Sequence, residues 1–234
     1  MRALNDASCK TSTFDADVST GNSSSVTYGL EEIQIGGTIN YIHTPTKQWF
    51  VLRVMYGRAE AARHLLSDKD IHWYQPMRYE VRQSDDNTRM RRAHLFPSLI
   101  FVYVEPQIIS ELIKNKRENT MLTYYYNHFT VDHTGYNPPL TIPCRIMDNF
   151  IRLTSIEDEH IRVVDSNTCR YKRDDLVIIT KGKFKGIVGR LARVMQEQRV
   201  VVNLEGVGMV ATAYIPTGVI APFEEWKKGI EPKE

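Results

Sequence analysis

The chain has 234 residues, with 30 basic and 28 acidic side chains and a formal charge of only +2 at pH 7. That length suits one to two domains, and the near-neutral charge excludes the dense basic stripe of a dedicated duplex binder. Cys9, Cys144 and Cys169 are odd in number and far apart, with no CxxC, which points to a reducing compartment rather than a disulfide framework.

No stretch approaches about 18 consecutive apolar residues, and the first residues lack a signal-type apolar region, so a soluble cytoplasmic protein is expected. The histidines do not pair at i, i+3 or i+4 in one helix, so no metal is expected. The charge is unevenly spread. Residues 1–45, 46–150, 151–169 and 170–234 carry net −3, +3, −2 and +4, two mildly basic bodies separated by acidic segments.

Residues 1–25 are rich in Ser, Thr and Asp and poor in large apolar side chains, a composition that cannot offset the cost of ordering. Ile33, Ile35, Ile39 and Ile42 around Gly36-Gly37 fit a short hairpin or an extension lying on the first domain. Thr44-Pro45-Thr46 marks a boundary. Residues 48–55 then form a strand by content, and residues 58–67 a helix with Ala59, Ala62, Leu65 and Leu66 on one face.

A second strand runs from Ile71 through Pro76 to Arg82 with alternation, and residues 83–87 form a polar hairpin tip. Arg89, Arg91 and Arg92 follow. The next strand, residues 94–104, alternates so that Leu99, Phe101 and Tyr103 share one face and Ile100, Val102 and Val104 the other. Both faces are apolar, so a helix layer on one side leaves the second needing another cover.

Residues 106–116 read as a second helix opened by proline, with Ile109, Leu112 and Ile113 inward. Tyr124-Tyr125-Tyr126 and Phe129 suggest a fourth strand, Pro138-Pro139 a loop, and residues 142–153 a third helix with Ile146, Phe150 and Leu153 as its stripe. The order β-α-β-β-α-β-α is that of a ferredoxin-like α+β sandwich.

Beyond a polar, acidic stretch at 154–169, the apolar run Leu176-Val-Ile-Ile179 leads into glycines 182, 186 and 189, with Phe184 between Lys183 and Lys185. Strands at 199–204 and 209–215 flank a Gly206-Val-Gly208 turn. Several short strands with glycine turns read as a small all-β barrel. No Walker loop, nucleophile elbow, HExxH or paired Cys/His site is present, and Glu157-Asp158-Glu159-His160 reads as a solvated charge run, so no enzyme and no cofactor are expected.

The pattern D-x-V-x-I-x-x-G-x-F-x-G-x-x-G-x-L, starting at Asp175 and followed by Val200-Val-Val202, resembles the KOW motif of NusG-type transcription factors and several ribosomal proteins. Trp49, Phe50, Leu52, Gly57, Phe96 and Pro97 resemble the NusG N-terminal domain, while Ser98 and Leu99 depart from its usual Gly-Tyr. Such departures are familiar in specialised paralogues such as RfaH.

Ile142-Pro143 with Met147 and Phe150, Val202 to Gly206, and Ala211 to Pro216 are similar to the UpxY group of Bacteroides-type antiterminators. The resemblance covers residues 47–224. It implies an N-terminal extension at 1–45, disordered or accessory, a NusG-like domain at 46–153, a flexible linker at 154–169, an SH3-like KOW barrel at 170–224 and a tail at 225–234.

The resemblance also implies an operon-specific antitermination factor, monomeric, that docks on the β′ clamp helices of RNA polymerase and contacts the non-template DNA strand. A surface polysaccharide operon is the implied target. Phe96, Leu99 and Phe101 are the candidates for the polymerase contact, as an exposed apolar concavity. Arg89, Arg91 and Arg92, with Arg58 and Arg63 more weakly, are the candidates for DNA, because arginine suits phosphates and unpaired bases.

The turn of Gly182, Lys183, Phe184, Lys185 and Gly186 contacts a ribosomal or termination partner or RNA in one reading. In the other, Phe184 caps the barrel and Lys181, Lys183 and Lys185 are solvated. An alternative for the whole chain is a ribosome-associated or RNA-binding KOW protein coupling transcription to translation.

Overall fold

The structure is a computed structural model and describes residues 44–84 and 87–229. The expectations for residues 1–43, the hairpin tip at 85–86 and residues 230–234 lie outside it. The described residues divide into two compact units, one of residues 44–74, 100–126 and 139–144, the other of 75–99, 127–138 and 145–229 apart from the hairpin tip.

The first unit contains β1 (Gln48–Val54), α1 (Ala59–Asp68) and β2 (His72–Tyr74). Residues 100–104 of β5 (Leu99–Val104), α2 (Pro106–Lys114), β6 (Leu122–Tyr124) and β7 (Thr141–Ile142) complete it. The sheet runs β2-β5-β1-β6, with β7 also pairing β1. Trp73 stands opposite Val102 and Arg53 opposite Thr123, both in antiparallel pairs.

One face of this sheet packs on the helices. Phe50, Leu52, Ile100, Val102 and Leu122 meet Ala62, Leu66, Ile109 and Leu112 in one buried cluster. Each such Leu or Ile contributes about 1.5–3 kcal/mol relative to exposure. Pro106 opens α2 where its missing N–H costs nothing.

The second unit begins with an independent two-stranded ribbon, β3 (Met77–Ser84) and β4 (Asn87–His94). Two prolines explain why the long strands expected from content break here. Pro76 cannot donate to a ladder and separates β2 from β3, and Pro97 sits in the Phe96–Ser98 turn between β4 and β5.

Helix α3 (Cys144–Thr154) buries Met147, Phe150, Ile151 and Leu153. Ile146, expected on its inward stripe, is only half-buried. The C-terminal sheet has six antiparallel strands in the order β13-β9-β10-β11-β12-β8. They are β8 (Arg162–Val164), β9 (Cys169–Ile179), β10 (Val188–Val194), β11 (Glu197–Leu204), β12 (Gly208–Ala211) and β13 (Ile220–Pro222), followed by the short α4 (Phe223–Lys227).

Within the stretch expected as a linker, Arg162–Val164 pairs with β12, Val163 opposite Val210. Gly189 is required by close approach rather than by a turn: a Cβ there would lie 2.6 Å from the Val201 carbonyl oxygen. Asn149 ties α3 to this sheet, since its Oδ1 accepts from the Val188 N–H at 2.8 Å.

Candidate nucleic-acid interface

The β3–β4 ribbon sorts the arginines of its sequence by pleat. Its register sets Arg78 opposite Ala93, Glu80 opposite Arg91 and Arg82 opposite Arg89. Successive residues alternate faces, so positions 78, 82, 89 and 91 share one face with the single acid at 80. Positions 77, 79, 81, 90, 92 and 94, occupied by Met, Tyr, Val, Met, Arg and His, share the other.

The three arginines clustered in sequence are therefore divided. Arg92 lies on this second face, where its Nη2 donates to Glu157 Oε1 at 3.2 Å and its guanidinium stands 5.6 Å from the Tyr79 ring centre. The Tyr79 hydroxyl donates to the same carboxylate oxygen at 3.2 Å. Arg91 is exposed. Sequence reasoning missed Arg78 and Arg82. The signal was the alternation Met-Arg-Tyr-Glu-Val-Arg from residue 77, which, once paired, brings those arginines to the face of Arg89 and Arg91.

Arg58 is exposed at the N-cap of α1, with no side-chain cap bond. Arg63 lies over the Trp73 ring at 5.9 Å.

The three apolar candidates are placed differently from expectation. Leu99 and Phe101 are not exposed: their relative exposures are 6% and 0%. The second apolar face of β5 is covered inside the chain. In the first unit, the Tyr103 ring lies tilted against Trp49 with ring centres 5.4 Å apart, and its hydroxyl accepts from the Thr44 N–H at 2.8 Å, which lays the Thr44 backbone beside it. In the second unit, the Leu99 carbonyl accepts from the Gln75 side chain, which is itself buried. Phe96 is half-buried, 6.3 Å from the Phe150 ring, and a Cβ added to Gly208 would touch it at 3.6 Å.

The glycine turn after β9 separates into a core residue and a rim. Phe184 is 4% exposed, whereas Lys181, Lys183 and Lys185 are exposed. Gly182 and Gly186 have φ of 82° and 86°, values that glycine adopts without strain. Lys183 pairs with Asp158, whose side chain is 3% exposed and also accepts from the backbone and ring nitrogens of His160 at 2.8 and 3.0 Å.

Burial alone would raise the Asp158 carboxyl. Hydrogen bonds from Lys183 and His160 outweigh it and hold the group below its ordinary value. The Glu157–His160 run is thus a clasp holding the ribbon through Glu157 and the turn through Asp158, rather than a solvated charge run. An open cavity beside the turn is bordered by Asp158, His160, Lys181, Lys183, Glu197 and Tyr214. Its charges are of both signs, which favours no one ligand class.

Among the described residues no cluster of three or more His, Cys, Asp or Glu could hold a metal ion, and no helix is long and apolar enough to cross a membrane. Residues 47–151 match the family model described as "Transcription termination factor nusG". The match takes in just under half of the chain, and over those residues the chain is similar to a NusG family domain. That family consists of transcription factors that bind RNA polymerase, and it is not a family of enzymes. No curated protein matches the chain.

Proposed function

We propose that the chain is an operon-specific transcription antitermination factor that joins RNA polymerase to the non-template DNA strand. The observation that carries this reading is the NusG family match at residues 47–151, within which the register of the β3–β4 ribbon puts four arginine positions, 78, 82, 89 and 91, on one face with Glu80. The order β2-β5-β1-β6 with helices on one side supports a ferredoxin-like reading of the first unit, and the six-stranded antiparallel sheet with its glycine turn supports an SH3-like KOW reading of the C-terminal part. UpxY-like segments around Met147, Val202 and Ala211 support a surface polysaccharide operon as the target.

In this reading the ribbon lies along the exposed single strand of the transcription bubble. Arg78, Arg82, Arg89 and Arg91 neutralise phosphates and stack on unpaired bases, while Arg92 anchors the ribbon to Glu157. Polymerase docks on the face of Phe96, Leu99 and Phe101. Leu99 and Phe101 are buried and Phe96 lies against Phe150, so in this reading the face opens on recruitment. Opening on demand confines activity to templates that recruit the factor.

The test is in-vitro transcription through a terminator behind the native leader, with the full chain. Wild type is expected to raise read-through on that leader and not on an unrelated one. Read-through unchanged on every template, with polymerase bound, overturns the antitermination reading.

A further inference from the structure

The Asn127–Pro138 segment has no role in the site above, and content alone reads its aromatic start as strand. It is a closed loop instead. The Asn127 N–H donates to the Pro138 carbonyl at 2.8 Å, and Tyr126 bridges Pro139 at its base. Inside, Asp132 Oδ1 accepts from the Thr134 N–H at 2.8 Å, the Thr134 hydroxyl at 2.5 Å and the Tyr136 N–H at 3.2 Å. The Asn137 amide donates to the carbonyls of Asn127 and Thr130 at 2.8 and 2.9 Å. The Thr134 bonds, above all, hold the Asp132 carboxyl below its ordinary value.

This scaffold holds apolar side chains outward. Phe129 is 82% exposed, Tyr136 75% and Val131 65%. Rigid aromatics on a Thr-, Asn- and Gly-containing loop are the composition of preorganised protein-binding loops, in which little entropy is lost on contact.

We propose that the Asn127–Pro138 loop is a protein-docking element, a second contact through which the chain grips the protein surface of RNA polymerase. This rests on the polymerase-binding reading above. Charge favours one class of partner: the loop contains no Lys or Arg, its basic side chains are His128 and His133 alone, and its only carboxylate is bonded to the loop's own groups. Nucleic-acid backbones and anionic lipid surfaces are gripped chiefly by lysine and arginine, which it lacks.

Area selects the kind of contact. Two aromatics and a valine present on the order of 400 Å², about half of what one side of a stable interface buries. The loop is therefore too small to hold a second copy alone and serves as an auxiliary contact in an assembly whose main contact lies elsewhere. Its occupant is an uncharged apolar hollow rimmed by hydrogen-bonding groups.

The test measures affinity of the full chain for nucleic-acid-free core polymerase. Phe129→Ser/Tyr136→Ser is expected to weaken binding about tenfold or more with the melting temperature unchanged. Asp132→Ala, which removes no apolar surface, is expected to weaken it several-fold, and Asp132→Asn, which keeps an acceptor oxygen, to restore it.

Wild-type binding with full affinity in both the double variant and Asp132→Ala overturns the docking proposal and leaves the polymerase reading intact. Failure of the wild type to bind core polymerase overturns both. A double variant that binds polymerase normally but loses affinity for labelled oligo(dT) assigns the loop to nucleic acid and also overturns the proposal.

Discussion

The β3–β4 ribbon and the glycine turn after β9 are the two places where basic residues crowd together in sequence, and the structure treats them differently. In the ribbon, the pleat gathers arginines that are distant in sequence onto one face and removes one that is adjacent. In the turn, exposed lysines surround a buried Phe184, and the middle lysine pairs with the buried Asp158. A run of charge in sequence is thus a poor guide to a charged surface. What decides is which cations the register brings to one face.

The largest effect that tests this contrast is at Phe184. If the turn is a structural plug, Phe184→Ala should destabilise the C-terminal sheet by about 3–5 kcal/mol, read as a lower melting temperature. A variant that melts like wild type would make Phe184 a surface residue and break the comparison.

Gly189→Ala comes next. With its Cβ 2.6 Å from the Val201 carbonyl, β10 and β11 must separate, at a cost of about 1–3 kcal/mol. Hydrogen exchange should show protection lost at β10 and β11 and retained in the ribbon.

Much of this was legible in the sequence. Helices at 58–67, 106–116 and 142–153 were visible from apolar periodicity and appear as Ala59–Asp68, Pro106–Lys114 and Cys144–Thr154. The Gly206–Gly208 turn was likewise announced by its glycines. Pairing and cover were not legible. Nothing local in Arg162–Val164 announces a strand, because its partner Met209–Ala211 lies some fifty residues away.

The double apolar face of β5 correctly signalled a need for cover but not its source, so Leu99 and Phe101 were expected to be exposed and are buried. The proposed basic face was legible in residue type, and half of its positions were not singled out because strand register sets the face, and no single strand reveals its register.

Two smaller effects sharpen the contrast. Asp158 has its carboxyl depressed, so its stabilising contribution is present above the ordinary value of 3.8 and is lost as pH falls through the lower folded value. Wild type should therefore lose stability in acid more steeply than Asp158→Asn. Parallel pH–stability curves for the two would refute the clasp.

At the ribbon, Arg92→Gln breaks a half-exposed pair with Glu157 and should cost about 0.2–1 kcal/mol. It should leave the salt dependence of transcription unchanged. A change of salt slope would place Arg92 on phosphate instead.

The most direct measurement compares two variants of the full chain in transcription through a terminator on the native leader, across a salt series, with polymerase binding checked in parallel. Arg78→Gln/Arg82→Gln/Arg89→Gln/Arg91→Gln is expected to keep polymerase binding and lose most read-through. Its salt slope should fall by about 0.7 for each phosphate contact removed. Lys181→Gln/Lys185→Gln is expected to read through like wild type. Read-through retained by the arginine variant, or lost only in the lysine variant, would contradict the assignment of the ribbon as the nucleic-acid face.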